Sequence, residues 1–229
     1  MGDANDRQSK AISPSLIEDS DRKARQEAEN AVRQFDRVLD MIEEVARGNR
    51  PFRLRVSMIL DLHRIALEGL DAYAGNFRPG SVEIGLSQHV PPEAHLVPNL
   101  VEEMCDYVTD HQETASALHL CAYVMWRLNW IHPFTDGNGR TSRAVAYYVL
   151  CGKTGYQLPG RLSVPEQITA DKQPYYEALE AADACCKNGE IDLTALEALL
   201  EGCLATQLVQ AMEDAKHSGG AESVDRKLH

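Results

Sequence analysis

With 229 residues, 44% of them hydrophobic and 25% charged, the chain has an ordinary globular composition and enough length for one cored domain with extensions. A net charge of −12 excludes the broad basic footprint of a nucleic-acid-binding surface, so no nucleic-acid partner is expected. No apolar run reaches the roughly eighteen residues of a membrane span and no basic-then-apolar leader opens the chain, so the reading is a cytoplasmic protein without a membrane partner.

Residues 1–14 are polar and aperiodic, which predicts disorder. Within 15–48, Ala24, Ala28, Val32, Phe35, Leu39, Ile42 and Ala46 recur at steps of four and three, with Val38 and Val45 widening the stripe. That spacing predicts one long helix, packed on its own domain or forming the seam of a homodimer. Gly48-Asn49 is its C-cap, and Pro51 opens a second helix over 51–70 with Val56, Ile59, Leu60, Leu67 and Leu70 inward. From Gly75 to Pro92 the periodicity gives way to glycine, serine and proline around a β-prone piece, Ser81 to Ile84, read as a small hairpin or extended loop. Pro98 restarts helix to about Val108. Residues 114–131 are apolar nearly all round, a central buried helix with His119 as a core histidine and Trp126 and Trp130 as packing.

After a helix over about 140–150, Gly152–Gly155 breaks the pattern. A helix opens at Tyr175-Tyr176, and a last one carries Leu193, Leu196, Leu199, Leu200, Leu204 and Leu208. Residues 216–229 read as a disordered tail. The six cysteines, Cys105, Cys121, Cys151, Cys185, Cys186 and Cys203, lack paired zinc spacing and read as reduced, small hydrophobes. The fold class expected is all-α, a bundle over 49–215 with one short β excursion.

The chemistry concentrates in His132-Pro133-Phe134-Thr135-Asp136-Gly137-Asn138-Gly139-Arg140-Thr141-Ser142-Arg143. Gly137, Asn138 and Gly139 accept positive φ, so this turn is a candidate anion nest on a helix N-terminus, where free N–H groups favour phosphate. Arg140 and Arg143 share a helix face, and their planar forks suit phosphate oxygens. Asp136 supplies the hard oxygen that Mg²⁺ takes alongside substrate phosphates. His132 is the general-base candidate near neutral pH. Pro133 and Phe134 lock the loop by packing. Taken singly, a Gly-Asn-Gly turn, two exposed arginines or a helix-end histidine are bland; together in one block they read as a phosphate site.

This block resembles, without gap or substitution at its defining positions, the active-site motif of the Fic-domain family. Asp61-Leu62-His63-Arg64-Ile65-Ala66, then Tyr73-Ala74-Gly75-Asn76-Phe77-Arg78, resemble the helix and turn before that family's target-docking flap, and the segment Val82-Glu83-Ile84-Gly85 to Pro92 is similar to the flap itself. The resemblance implies a Fic-type helical bundle and a protein adenylyltransferase moving AMP from ATP, with Mg²⁺, to a Ser, Thr or Tyr hydroxyl of a target protein or of itself. His132 would be the base, Asp136 the metal ligand, and Gly137, Asn138, Gly139, Arg140 and Arg143 the phosphate site. The flap of Val82, Glu83, Ile84 and Gly85 would pair with the target backbone. Tyr175, Tyr176 and Leu179 would form an adenine wall. Family members are often inhibited by a helix bearing Ser or Thr, three variable residues, Glu, then Gly or Asn; Arg25-Gln26-Glu27-Ala28-Glu29-Asn30 resembles it at Glu29 and Asn30, with Arg25 at the first position. Residues 15–48 would then be a regulatory helix in which Glu29 pairs with Arg143. Removal of AMP, or transfer of another phosphate-bearing group, would use the same pocket. Alternatives from other classes are a non-catalytic nucleotide-binding module, against which an intact His132 argues, and an interaction module in which the first helix dimerises.

Overall fold

The computed structural model describes residues 7, 9, 10 and 16–225. Helix α1 spans Ser20–Ala46; its N-cap Asp19 accepts from the Arg22 N–H at 2.7 Å, and Gly48 at φ +72° follows its end. The helix packs on α2 (Val56–Leu67) and α5 (Asn138–Thr154) of its own chain, with Phe35 stacked on Tyr147. The buried face differs from the expected stripe. It runs through Asn30, Gln34, Val38, Met41 and Ile42, whereas Ala24 and Ala28 are exposed and Val32 is 62% exposed. Two polar side chains carry the difference. Asn30 donates to the Ala66 and Glu68 carbonyls, capping the end of α2, and Gln34 donates to the Leu62 carbonyl in its middle. Hydrophobic periodicity is blind to such contacts.

Helix α2 starts at Val56, not Pro51. Residues 51–55 cross α5 as an extended strap: Tyr148 donates its hydroxyl hydrogen to the Arg53 carbonyl, and the Phe52 ring sits where a side chain on Gly152 would be. Tertiary contact overrides the proline's helix-opening preference here.

A 3₁₀ turn at Ala94–Leu96 leads into α3 (Val97–His111). Helix α4 (Ala117–Ile131), capped by Ser116, lies against α5 at the centre, and both are buried nearly all round. His119 is only half-buried and belongs to no core. It bridges Tyr107 and Glu197 on the bundle's flank, where an imidazole can satisfy both nitrogens.

Helix α6 (Val164–Ala170) is too short to show a period, though Ser163 and Glu166 form the reciprocal capping box that marks its start. Helix α7 (Gln173–Cys186) precedes α8 (Thr194–Asp225), which continues past Lys216, where a disordered tail was expected. Leu193, Leu196 and Leu200 of the expected stripe are buried. Further along, Leu208 turns outward and Gln207 is buried instead, bonding the Val164 N–H, the Tyr147 hydroxyl and the Pro159 carbonyl. No described helix is long and apolar enough to cross a membrane.

The β excursion is not a self-contained hairpin. Strand β2 (Glu83–Ile84) pairs antiparallel with β1 (Ser9–Lys10), Ser9 opposite Ile84 and Lys10 opposite Glu83. The partner comes from within the segment expected to be disordered. The rest of that expectation, residues 1–6, 8 and 11–14, and residues 226–229 of the tail lie outside the described residues.

Candidate active site

The site begins where α4 stops. His132 takes φ +50°, ψ +59°, a left-handed conformation that costs a non-glycine residue energy and persists only when neighbours impose it. Arg78 imposes it: its Nε donates to the His132 carbonyl at 2.8 Å, its backbone N–H to that of Pro133, and its remaining nitrogens to the Gly80 and Pro92 carbonyls. Phe134 is fully buried under the His63 ring, centroids 3.7 Å apart and nearly parallel. The Asn138 side chain closes the loop, accepting from the Phe134 N–H and donating to its carbonyl, both at 2.9 Å. Thr135 donates its hydroxyl hydrogen to buried Asp71 at 2.8 Å.

His63 is the second anchor. Its Nδ1 accepts from the Gly75 N–H, so the proton sits on Nε2, which donates to the Asp136 carbonyl at 3.1 Å. Burial drives this imidazole from 6.5 down to about 4, against the raising effect of that Asp136 bond. Unfolding would let it take up a proton at the higher value. Stability is therefore complete above about pH 6.5 and is lost as pH falls toward 4, by on the order of 3 kcal/mol from this group. Urea titrations at pH 7 and 4.5 should show that loss, and substitution of His63 by Gln should remove this residue's share of it; an unchanged pH dependence in that variant would refute the assignment.

His132 follows the same logic at the cavity. Its Nδ1 faces the Asn129 carbonyl at 3.3 Å; a carbonyl only accepts, so Nδ1 carries the proton and the Nε2 lone pair is presented to the cavity. Burial pushes the pKa of this imidazole down to about 4, opposed by the Asn129 bond and assisted by the charge on Arg78. Near pH 7 the ring is neutral and able to accept a proton.

The cavity, about 690 Å³, has His132 on one side and the start of α5 on another. The first N–H groups of α5 lack carbonyl partners within the helix, as at any helix N-terminus. Gly137 takes positive φ, +73°, but Gly139 does not; its role is space, since a Cβ there would lie 3.2 Å from Arg143 Nη1. Arg140 lies 3.4 Å from Asp136, and both arginines line the cavity. Tyr175, Tyr176 and Leu179 of α7 line it too, with the Tyr175 hydroxyl accepting from Asn129 at 2.7 Å. Asp136 stands half-exposed at its edge. Among the described residues no group of three or more acidic, histidine or cysteine side chains could hold a metal alone. A single carboxylate beside a phosphate-directed helix end suits Mg²⁺ that arrives with a nucleotide. In the flap, Val82 is buried while Glu83 is exposed, and Ile84 lines the cavity.

Glu29 is not brought to the site. It lies on the exposed face of α1 and does not line the cavity. The acid that α1 presents is Glu27, 3.7 Å from Arg140. Asn30 explains the rotation: its amide is committed to the end of α2, and this turns its neighbour Glu29 outward.

Residues 53–150 match the Fic/DOC family profile. The matched segment makes up less than half of the chain. Curated relatives named protein adenylyltransferase Fic include those of Drosophila willistoni, 34% identical over 134 residues, and Drosophila persimilis, 32% identical over 132. Each match takes in 57% of this chain and about a quarter of the relative, 25% and 24%. Fic-1 from C. elegans superposes with TM-score 0.66 over 88% of this chain and 55% of that one, at 20% identity, a likeness of fold. Helix α1 and helices α6–α8 lie outside the matched residues 53–150, so Glu27, Tyr175 and Tyr176 come to the cavity from its flanks.

His63, Asp71, Arg78, Asn129 and Glu27 do structural or electrostatic work at the site that sequence reasoning did not assign. His63 and Arg78 sit in segments that resemble the family, but a buried histidine in an apolar helix and an arginine in a loop carry no sign of what they bind.

Proposed function

We propose that the chain transfers AMP from ATP to a protein Ser, Thr or Tyr hydroxyl. One observation carries the reading: a neutral imidazole whose unprotonated Nε2 faces a cavity bounded by a helix N-terminus and two arginines. The first N–H groups of α5 with Arg140 would hold the α- and β-phosphates, and Arg143 the γ-phosphate. Asp136 would hold Mg²⁺, whose charge, when bound, neutralises the phosphates. Tyr175, Tyr176 and Leu179 would flank the base. The target hydroxyl attacks the α-phosphorus in line, its proton passes to His132 Nε2, and pyrophosphate leaves. Flap β2 would align the target backbone by strand addition.

Label from ATP carried on the α-phosphate should reach protein, and label on the γ-phosphate should not; the reverse result would make the site a kinase. Asp136→Ala should lower transfer by roughly 10²-fold or more by removing the metal's carboxylate, and transfer at the wild-type rate would exclude Asp136 as a metal ligand. Regulation is a further expectation. Glu27 engages Arg140 and places negative charge where ATP brings its own, so Glu27→Gln should raise transfer about fivefold, a coupling of roughly 1 kcal/mol. Glu29→Gly should leave it unchanged. Should Glu29→Gly be the variant that gains, α1 must rotate in solution to bring Glu29 to Arg143.

A further inference from the structure

Arg7 and Ser9, ahead of α1 and outside the matched residues 53–150, line this cavity and have no role in the mechanism above. Strand β1 adds to the edge of β2 as an extended peptide substrate would. Its register places Ser9 Oγ 2.8 Å from His132 Nε2. Because His132 carries its proton on Nδ1, Nε2 accepts, and the Ser9 hydroxyl is the donor. Asn138 Nδ2 donates to the same oxygen at 3.2 Å, leaving it oriented with its hydrogen on the base. Two residues earlier, Arg7 fixes the segment separately: its N–H donates to the Tyr176 hydroxyl at 3.3 Å, its guanidinium lies 4.5 Å over the Tyr176 ring, and it pairs with Glu180.

A surface segment resting in a groove needs no hydroxyl on the base. Backbone pairing that sets register and a serine at hydrogen-bond distance from the unprotonated imidazole nitrogen are what an acceptor requires. We propose that Ser9 is an AMP acceptor of its own chain, modified in cis; this rests on the AMP-transfer reading above. Ser9 Oγ forms a bond to the α-phosphorus, the bond from that phosphorus to the bridging oxygen breaks, pyrophosphate departs with the electron pair, and the hydroxyl proton moves to His132 Nε2. The product is an AMP phosphodiester on Ser9. Arg7 and the adenine would share the Tyr176 face, so Arg7 must yield that ring to the nucleotide while the β1–β2 pairing keeps the register of Ser9.

The test uses the full chain with α-labelled ATP and Mg²⁺, alone and added to a cell lysate, with the adduct located by peptide mass spectrometry. The expected result is label on Ser9, absent in His132→Ala, at a rate per chain independent of protein concentration. Ser9→Ala should cut self-labelling at least tenfold, and Ser9→Thr should retain it. Self-label at other residues that Ser9→Ala leaves unchanged overturns the proposal, as does a rate per chain that rises with concentration. So does an unlabelled chain that still labels lysate proteins, more so with Ser9→Ala, since β1 would then be a plug. Absence of any His132-dependent label, on the chain or in the lysate, would instead sink AMP transfer itself.

Discussion

His132→Ala should lower AMP transfer by a factor of roughly 10²–10⁴, the usual contribution of a positioned general base, while ATP affinity changes by less than about twofold. The separation follows from geometry. The imidazole would meet the incoming hydroxyl through Nε2, whereas the phosphates are assigned to the first N–H groups of α5 with Arg140 and Arg143. Single-turnover labelling with α-labelled ATP gives the rate, and calorimetry gives the affinity. Equal turnover in the variant would mean that some other group takes the proton. The pH profile adds an independent check. Burial holds this imidazole near 4, and protonation would remove its lone pair, so the base limb should be flat at neutral pH and fall only as pH approaches 4. A fall centred near 6.5 would mean that His132 is solvated when substrate binds.

The candidate block was legible in the sequence because its parts are local: histidine, acid, glycine turn and arginines are consecutive, and a helix start gathers consecutive residues around one cavity. The central helix was legible because a segment apolar all round must be buried. The structure differs wherever a polar residue does a buried job. Asn30 and Gln34 set the inward face of α1, which leaves Val32 in solvent and brings Glu27, not Glu29, to Arg140. Gln207 does the same for α8. Long-range pairing was equally hidden. Nothing in Ser9-Lys10 marks a strand, and only the open edge of β2, seventy-odd residues away, makes it one.

The second large effect is expected at Gly137, where backbone and packing both exclude a side chain. At φ +73° a residue with a Cβ loses roughly 1–2 kcal/mol in the left-handed region. The added carbon would also lie 2.3 Å from Leu67 Cδ2, and Leu67 is buried, so it cannot swing into solvent. Overpacking of this kind costs typically about 1–3 kcal/mol. Gly137→Ala should therefore reduce unfolding free energy by roughly 2–5 kcal/mol. It should also abolish transfer in the protein that remains folded, because relieving either strain turns the first N–H groups of α5 away from the phosphates. Adding Leu67→Val removes the clashing Cδ2 and should restore part of the stability, but not transfer, since the backbone strain at residue 137 persists. Urea unfolding of the two variants beside labelled-ATP transfer separates the contributions. Wild-type stability in Gly137→Ala would show that the turn between Asp136 and α5 can adopt a different backbone, and the phosphate site built on it would need to be redrawn.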